Sequence, residues 1–112
     1  MDGIRSLSGE GEDISFEIVD YGKIVTWGET KFKLPDSTIN DILENFFIEA
    51  DKWYPLGADM VSPMPGGLGV FIQSRYKDLS PRHASAIAAL MYQEGFIDYK
   101  DGKPILLRKI KK

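Results

Sequence analysis

Apolar residues recur at every second position up to Leu34, and at every third or fourth position from Ile39 onward. Strand side chains alternate between two faces, whereas helical side chains return to one face after three or four residues. A chain carrying both patterns in succession has to build a sheet and then a helix, and each must bury its apolar side against something. Before the switch, Ile14, Phe16 and Ile18 alternate with Ser15 and Glu17. Ile24-Val25-Thr26-Trp27 is β-branched and aromatic, and Lys31-Phe32-Lys33-Leu34 alternates again. Asp20-Tyr21-Gly22-Lys23 and Gly28-Glu29 supply reversals, because glycine accepts the positive φ such turns need. The pattern predicts a three-stranded antiparallel meander.

Pro35 and Asp36-Ser37 mark the switch, with Asp36 or Ser37 able to cap a helix. Ile39, Ile42, Leu43, Phe46, Phe47, Ala50, Trp53 and Tyr54 then share one face of a long amphipathic helix of about four turns. Asp41, Glu44, Glu49 and Asp51 occupy the opposite face, and Pro55 ends the pattern. Leu56 to Gly67 holds prolines and glycines at spacings that exclude regular structure, so a loop is expected there. It is an apolar loop. Met60, Val61 and Met64, with Ile48 outside the helical stripe, are candidate interface residues for a homodimer or another protein partner.

The second half repeats the logic less cleanly. Leu68 to Leu79 fits a strand by composition and a short helix by spacing. Ser80-Pro81 opens a helix, since the missing proline N–H costs nothing at the first helical position. Ala84, Ile87, Ala88 and Met91 form its buried stripe, and Gly95 stops it. Phe96 to Tyr99 and Pro104 to Leu107 read as a hairpin about Lys100-Asp101-Gly102-Lys103. The fold expected is α+β: the meander, the long helix laid across it, then a helix plus C-terminal β-hairpin. Residues 14–112 form one domain, and Met1 to Asp13 a mobile arm.

Several chemistries find no residues to carry them. Among 112 residues there is no cysteine and a single histidine, His83. Disulfides, thiolate metal sites and multi-histidine metal clusters within one chain are thereby excluded. Gly66-Gly67-Leu68-Gly69 lacks the lysine of a phosphate-binding loop and reads as a hinge. Carboxylate pairs such as Asp41 with Glu44 lie where solvated acids ordinarily lie. A non-catalytic protein without metal or cofactor is therefore expected. No apolar run approaches the roughly 18 residues needed to cross a bilayer, no signal-like stretch opens the sequence, and a cytoplasmic setting follows.

Charge is unevenly distributed. Residues 1–66 hold five Lys/Arg against thirteen Asp/Glu, and residues 67–112 hold nine against four. Such asymmetry fits a face for nucleic acid or for an acidic partner, and equally a dipolar monomer or an oligomer whose halves attract each other. Trp27, Trp53 and Tyr54 are expected to fill the core, the alternative being a small-ligand pocket lined by them and by Met60 or Met64.

From Leu68 onward, a run to Tyr76, a break at Lys77-Asp78-Leu79, a helix from Pro81 to Glu94, then Gly95-Phe96-Ile97 and a hairpin resembles a winged helix-turn-helix. Leu90, Gly95, Phe96 and Ile97 resemble the way that family ends its second helix before the wing. The resemblance covers about two-fifths of the chain and implies DNA binding. It makes the helix after Ser80 a recognition helix, turning Ser80, Arg82, His83 and Ser85 toward base edges. Lys77, Lys100 and Lys103 would meet phosphates.

Overall fold

A computed structural model describes residues 13–110. The meander is as expected: β1 (Ile14–Val19), β2 (Gly22–Trp27) and β3 (Thr30–Pro35) pair antiparallel in that order. Val19 faces Gly22 and Trp27 faces Thr30, so each reversal is a two-residue turn. Gly22 is required where it stands. With φ at 151°, a Cβ there would lie 2.5 Å from the Leu34 carbonyl oxygen and 2.7 Å from the Asp36 nitrogen. That close approach lets the Asp36 N–H donate to the Tyr21 carbonyl at 2.9 Å and start the next element.

The long helix is shorter than its periodicity implies. α1 (Asp36–Asp41) continues as a π-helical turn over Ile42–Phe46 and stops at Phe47, whose φ of −87° and ψ of 62° are no longer helical. The Phe47 N–H reaches back to the Ile42 carbonyl at 3.1 Å, five residues away. Neither Asp36 nor Ser37 caps the helix by its side chain; Pro35 takes the N-cap position. Tertiary structure overrides the spacing. Tyr54 is drawn out to pair with Leu107 as β4 (Tyr54–Pro55), while Phe46 and Phe47 both turn into the core.

The Leu68 to Leu79 ambiguity resolves as α2 (Leu68–Arg75), followed by α3 (His83–Gln93). β5 (Ile97–Lys100) and β6 (Leu106–Lys109) form the hairpin, with Tyr99 opposite Leu107. The second strand thus lies two residues beyond the expected Pro104 to Leu107, and β4 adds on its far side to give the order β4-β6-β5. The α+β class stands, within a single compact globule. Of the expected arm, Met1 to Asp13, all but Asp13 lies outside the described residues.

α3 is the axis of the fold. Lys23 Nζ meets Glu94 Oε1 at 2.9 Å, and Trp27 packs edge-on to His83. β2 therefore runs along the helix from its C-terminal to its N-terminal end. α2 and β5 pack against α3 as well. Enclosed in this way, Ala84 and every residue from Ala86 to Met91 are buried, well beyond the expected stripe. The alanines let both neighbours approach closely.

α2 is tied to α1 through Asp41. Arg75 donates to both carboxylate oxygens, at 2.7 and 2.8 Å, and Asn45 and the Tyr76 hydroxyl donate to the same group. Among the described residues no helix is long and apolar enough to cross a membrane.

Candidate functional site

The residues singled out around the start of α3 do not form one exposed face. Lys77 and Arg82 are exposed, and Ser80, His83 and Ser85 are half-buried. The Arg82 guanidinium lies over the Trp27 ring at 5.2 Å. His83 sits between rings, 4.8 Å from Phe32 at 90° and 6.0 Å from Trp27. Its Nδ1 accepts from the Ser80 N–H at 3.0 Å, with the Ser80 hydroxyl at 2.9 Å. Burial pushes the His83 pKa below its ordinary value, and the charge of Arg82 acts in the same sense. A neutral ring whose Nδ1 accepts carries its proton on Nε2.

Farther along α3, the flank that a major groove would receive is closed. Ala86 and Ala89 are buried, and only Tyr92 and Gln93 emerge near the C-terminal end. α2 and β5 pack along the helix and the meander meets it at both ends, and together they enclose it.

A second cluster lies on the hairpin sheet. Trp53 has the Lys100 ammonium 5.0 Å and the Arg108 guanidinium 4.5 Å from its ring centroid. Arg108 also donates to Asp98 at 3.2 Å, the residue directly opposite it on the neighbouring strand β5. Two cations held over one aromatic ring suit a phosphate. Lys100 was legible in the sequence as a hairpin residue. Trp53 and Arg108 were not, because the periodicity assigned Trp53 to the helix and the hairpin register was two residues short.

The apolar loop residues are largely exposed: Ile48 71%, Val61 91%, Met60 49% and Met64 38%. Met64 and Lys103 line opposite sides of a groove of about 440 Å³ between this loop and the hairpin turn. An interface residue and a phosphate-contact residue expected on separate grounds thus share one surface. The alternative ligand pocket of Trp27, Trp53 and Tyr54 does not assemble, since Trp27 lies in β2 of one sheet, whereas Tyr54 opens β4 of the second and Trp53 immediately precedes it. Tyr54 instead packs against Phe46 and Phe47. Among the described residues, no group of three or more His, Asp or Glu is placed to hold a metal ion.

No protein-family model, no curated protein and no solved structure matches the chain. The functional reading rests on the geometry alone.

Proposed function

We propose that this protein is a nucleic-acid-binding accessory or regulatory module of winged-helix type, holding the phosphate backbone more than reading base sequence. The observation that carries this reading is the helical state of Leu68–Arg75, directly ahead of α3 and the hairpin. A strand there would have removed the first helix of the motif. The basic groups Lys77, Lys100, Lys103 and Arg108, with Trp53 among them, are the groups such a module would use. Enclosure of α3 leaves Arg82, stacked on Trp27, as the exposed side chain at the helix start, so affinity would come chiefly from phosphates.

The test is fluorescence anisotropy of a labelled mixed-sequence duplex titrated with protein at two salt concentrations. Affinity should fall steeply with salt, and Lys100→Ala and Lys103→Ala should each lower the log–log slope by about 1. Changing the duplex sequence should alter affinity little. Absence of binding even at about 50 mM salt removes the reading.

One observation favours a second reading, a homo-oligomeric interaction module. The exposed side chains of Ile48, Met60, Val61 and Met64 are large and apolar. Sedimentation velocity over a range of concentrations separates the two: this alternative requires a concentration-dependent mass that Val61→Asp abolishes.

A further inference from the structure

Among the described residues, β1 and β3 are the edges of the meander, and β4 and β5 those of the hairpin sheet. An unpaired edge invites another strand, and proteins blunt such edges with short strands, lysines or a covering segment. β4 is two residues long, and the Leu56 carbonyl just past it accepts from the Gly69 N–H of α2 at 3.0 Å. In β5 the Tyr99 N–H, which points away from β6, donates to the Asp98 carboxylate at 2.9 Å. On β3 the outward amides belong to Lys31 and Lys33, both exposed. β1 has no such device. Its residues, Ile14–Val19, include neither lysine nor proline and pair with β2 without interruption.

Val19 and Gly22 flank a two-residue turn, so Ser15, Glu17 and Val19 bond to β2. The N–H and C=O groups of Ile14, Phe16 and Ile18 therefore face outward. The side chains of these same residues lie on the core face, opposite Trp27, Val25 and Lys23. Ile18 is nevertheless 74% exposed. On β3 the outward amides go instead with side chains on the outer face, since Lys31 and Lys33 alternate with Phe32. Antiparallel pairing of β1 with β3 of another copy would thus join core face to outer face and leave an open end on each side. Pairing β3 with itself would bring lysine against lysine. Only β1 with β1 keeps both core faces on one side.

We propose that β1 pairs antiparallel with β1 of a second copy about a twofold axis at Phe16, merging two meanders into one sheet. Ile14 then opposes the partner's Ile18, and Phe16 the partner's Phe16, each pair exchanging two backbone hydrogen bonds. Glu17 faces the partner's Ser15. Charge fixes this register. An axis at Glu17 would set carboxylate against carboxylate, and one at Ser15 would set Glu17 against the partner's Asp13. An axis at Ile18 would leave Ile14 unpaired and set Phe16 against the partner's Asp20. The seam uses none of the residues invoked above for nucleic acid or for the apolar loop, so it stands or falls independently of both readings.

The experiment is sedimentation velocity of the full chain from about 10 μM to 1 mM, the range for a seam this small. A monomer–dimer equilibrium is expected. Ser15→Lys should tighten it by about threefold to tenfold, by facing the partner's Glu17, and Ser15→Glu should weaken it by as much. Val61→Asp should leave it unchanged. In the unaltered chain, hydrogen exchange at the Phe16 amide should slow as concentration rises, while the Lys33 amide keeps its rate. A monomer at every concentration overturns the proposal and leaves the edge to residues 1–12 or to a strand of another protein. Equal responses to Ser15→Lys and Ser15→Glu, or a Phe16 amide indifferent to concentration, overturn it as well. So does a dimer that Val61→Asp abolishes, which would transfer association to the apolar loop.

Discussion

Asp41 gathers four donors from three side chains, and its neighbours explain its ionisation. Its partial burial works to raise its pKa, but the hydrogen bonds from Tyr76, Arg75 and Asn45, with the charge of Arg75, hold the carboxyl below its ordinary 3.8. Tyr76 moves the other way, pushed above 10.0 by burial and by its bond to Asp41. The two shifts set opposite limits. The Asp41 contribution to stability is complete above the ordinary carboxylate pKa and fades as pH falls through the lowered one. The Tyr76 contribution is complete below the ordinary phenol pKa and fades as pH rises through the raised one. Tyr76→Phe should cost about 1.5–3 kcal/mol in urea unfolding, the worth of a hydrogen bond to a charged group, and the alkaline loss should vanish with it. His83 adds a third limit. Its lowered pKa means that the unfolded chain binds the proton more tightly, so stability should fall as pH drops below about 6.5 and level off below the folded value. The NMR titration midpoint of His83 should lie on the acid side of 6.5, driven there by its burial and by the charge of Arg82.

Elements show which parts of the fold the sequence could carry. The meander was legible because alternation and turn residues agree over Ile14 to Leu34. Helix α3 was legible from Ser80-Pro81 and Gly95, although it begins at His83 with Arg82 at its N-cap and not with Ser80 as cap, because the Ser80 hydroxyl is engaged by the His83 ring. α2 was not, since Val70-Phe71-Ile72 satisfies strand composition and α2 buries Leu68, Gly69 and Ile72 without a clean stripe. β4 is two residues long and exists only through its pairing with β6, so no local pattern could announce it, and α1 was overextended for the same reason. The glycine run shows the same dependence on distant residues. Gly69 lies in α2, where its N–H donates to the Leu56 carbonyl at 3.0 Å and a Cβ would stand 2.1 Å from the Gly57 carbonyl oxygen. Gly69→Ala should therefore force the loop off the helix and cost about 1–3 kcal/mol by overpacking. Gly95, where a Cβ would meet nothing within 4 Å at φ of 83°, should cost about 1–2 kcal/mol as alanine, from backbone strain alone. Urea unfolding of both variants checks the difference in mechanism. A second alteration that shortens the Leu56 to Gly67 loop contact should be non-additive with Gly69→Ala and additive with Gly95→Ala.

At the scale of the molecule, α3 joins two sheets that share no strand. The meander meets it through Lys23–Glu94 at one end and the ring contacts of His83 at the other, and the hairpin sheet meets it through β5. Among the described residues each sheet has three strands, and one of the second sheet's is two residues long. Such small sheets need a packed partner to be stable. Because the buried residues of α3 are shared between both, loss of either side should expose the helix and unfold the other. The two tryptophans lie on opposite sides of this arrangement, Trp27 in β2 and Trp53 beside β4. Single-tryptophan variants made by Trp53→Phe and Trp27→Phe then report on one sheet each. Their fluorescence transitions in urea should coincide with one another and with far-ultraviolet circular dichroism, once each is corrected for the variant's own stability. Ala88→Leu, which overfills the enclosed helix at a cost of about 1–3 kcal/mol, should lower both midpoints together. If the Trp27 transition precedes the Trp53 transition, the meander unfolds as a separate unit, and the closure of the α3 flank becomes a reversible cover over the helix.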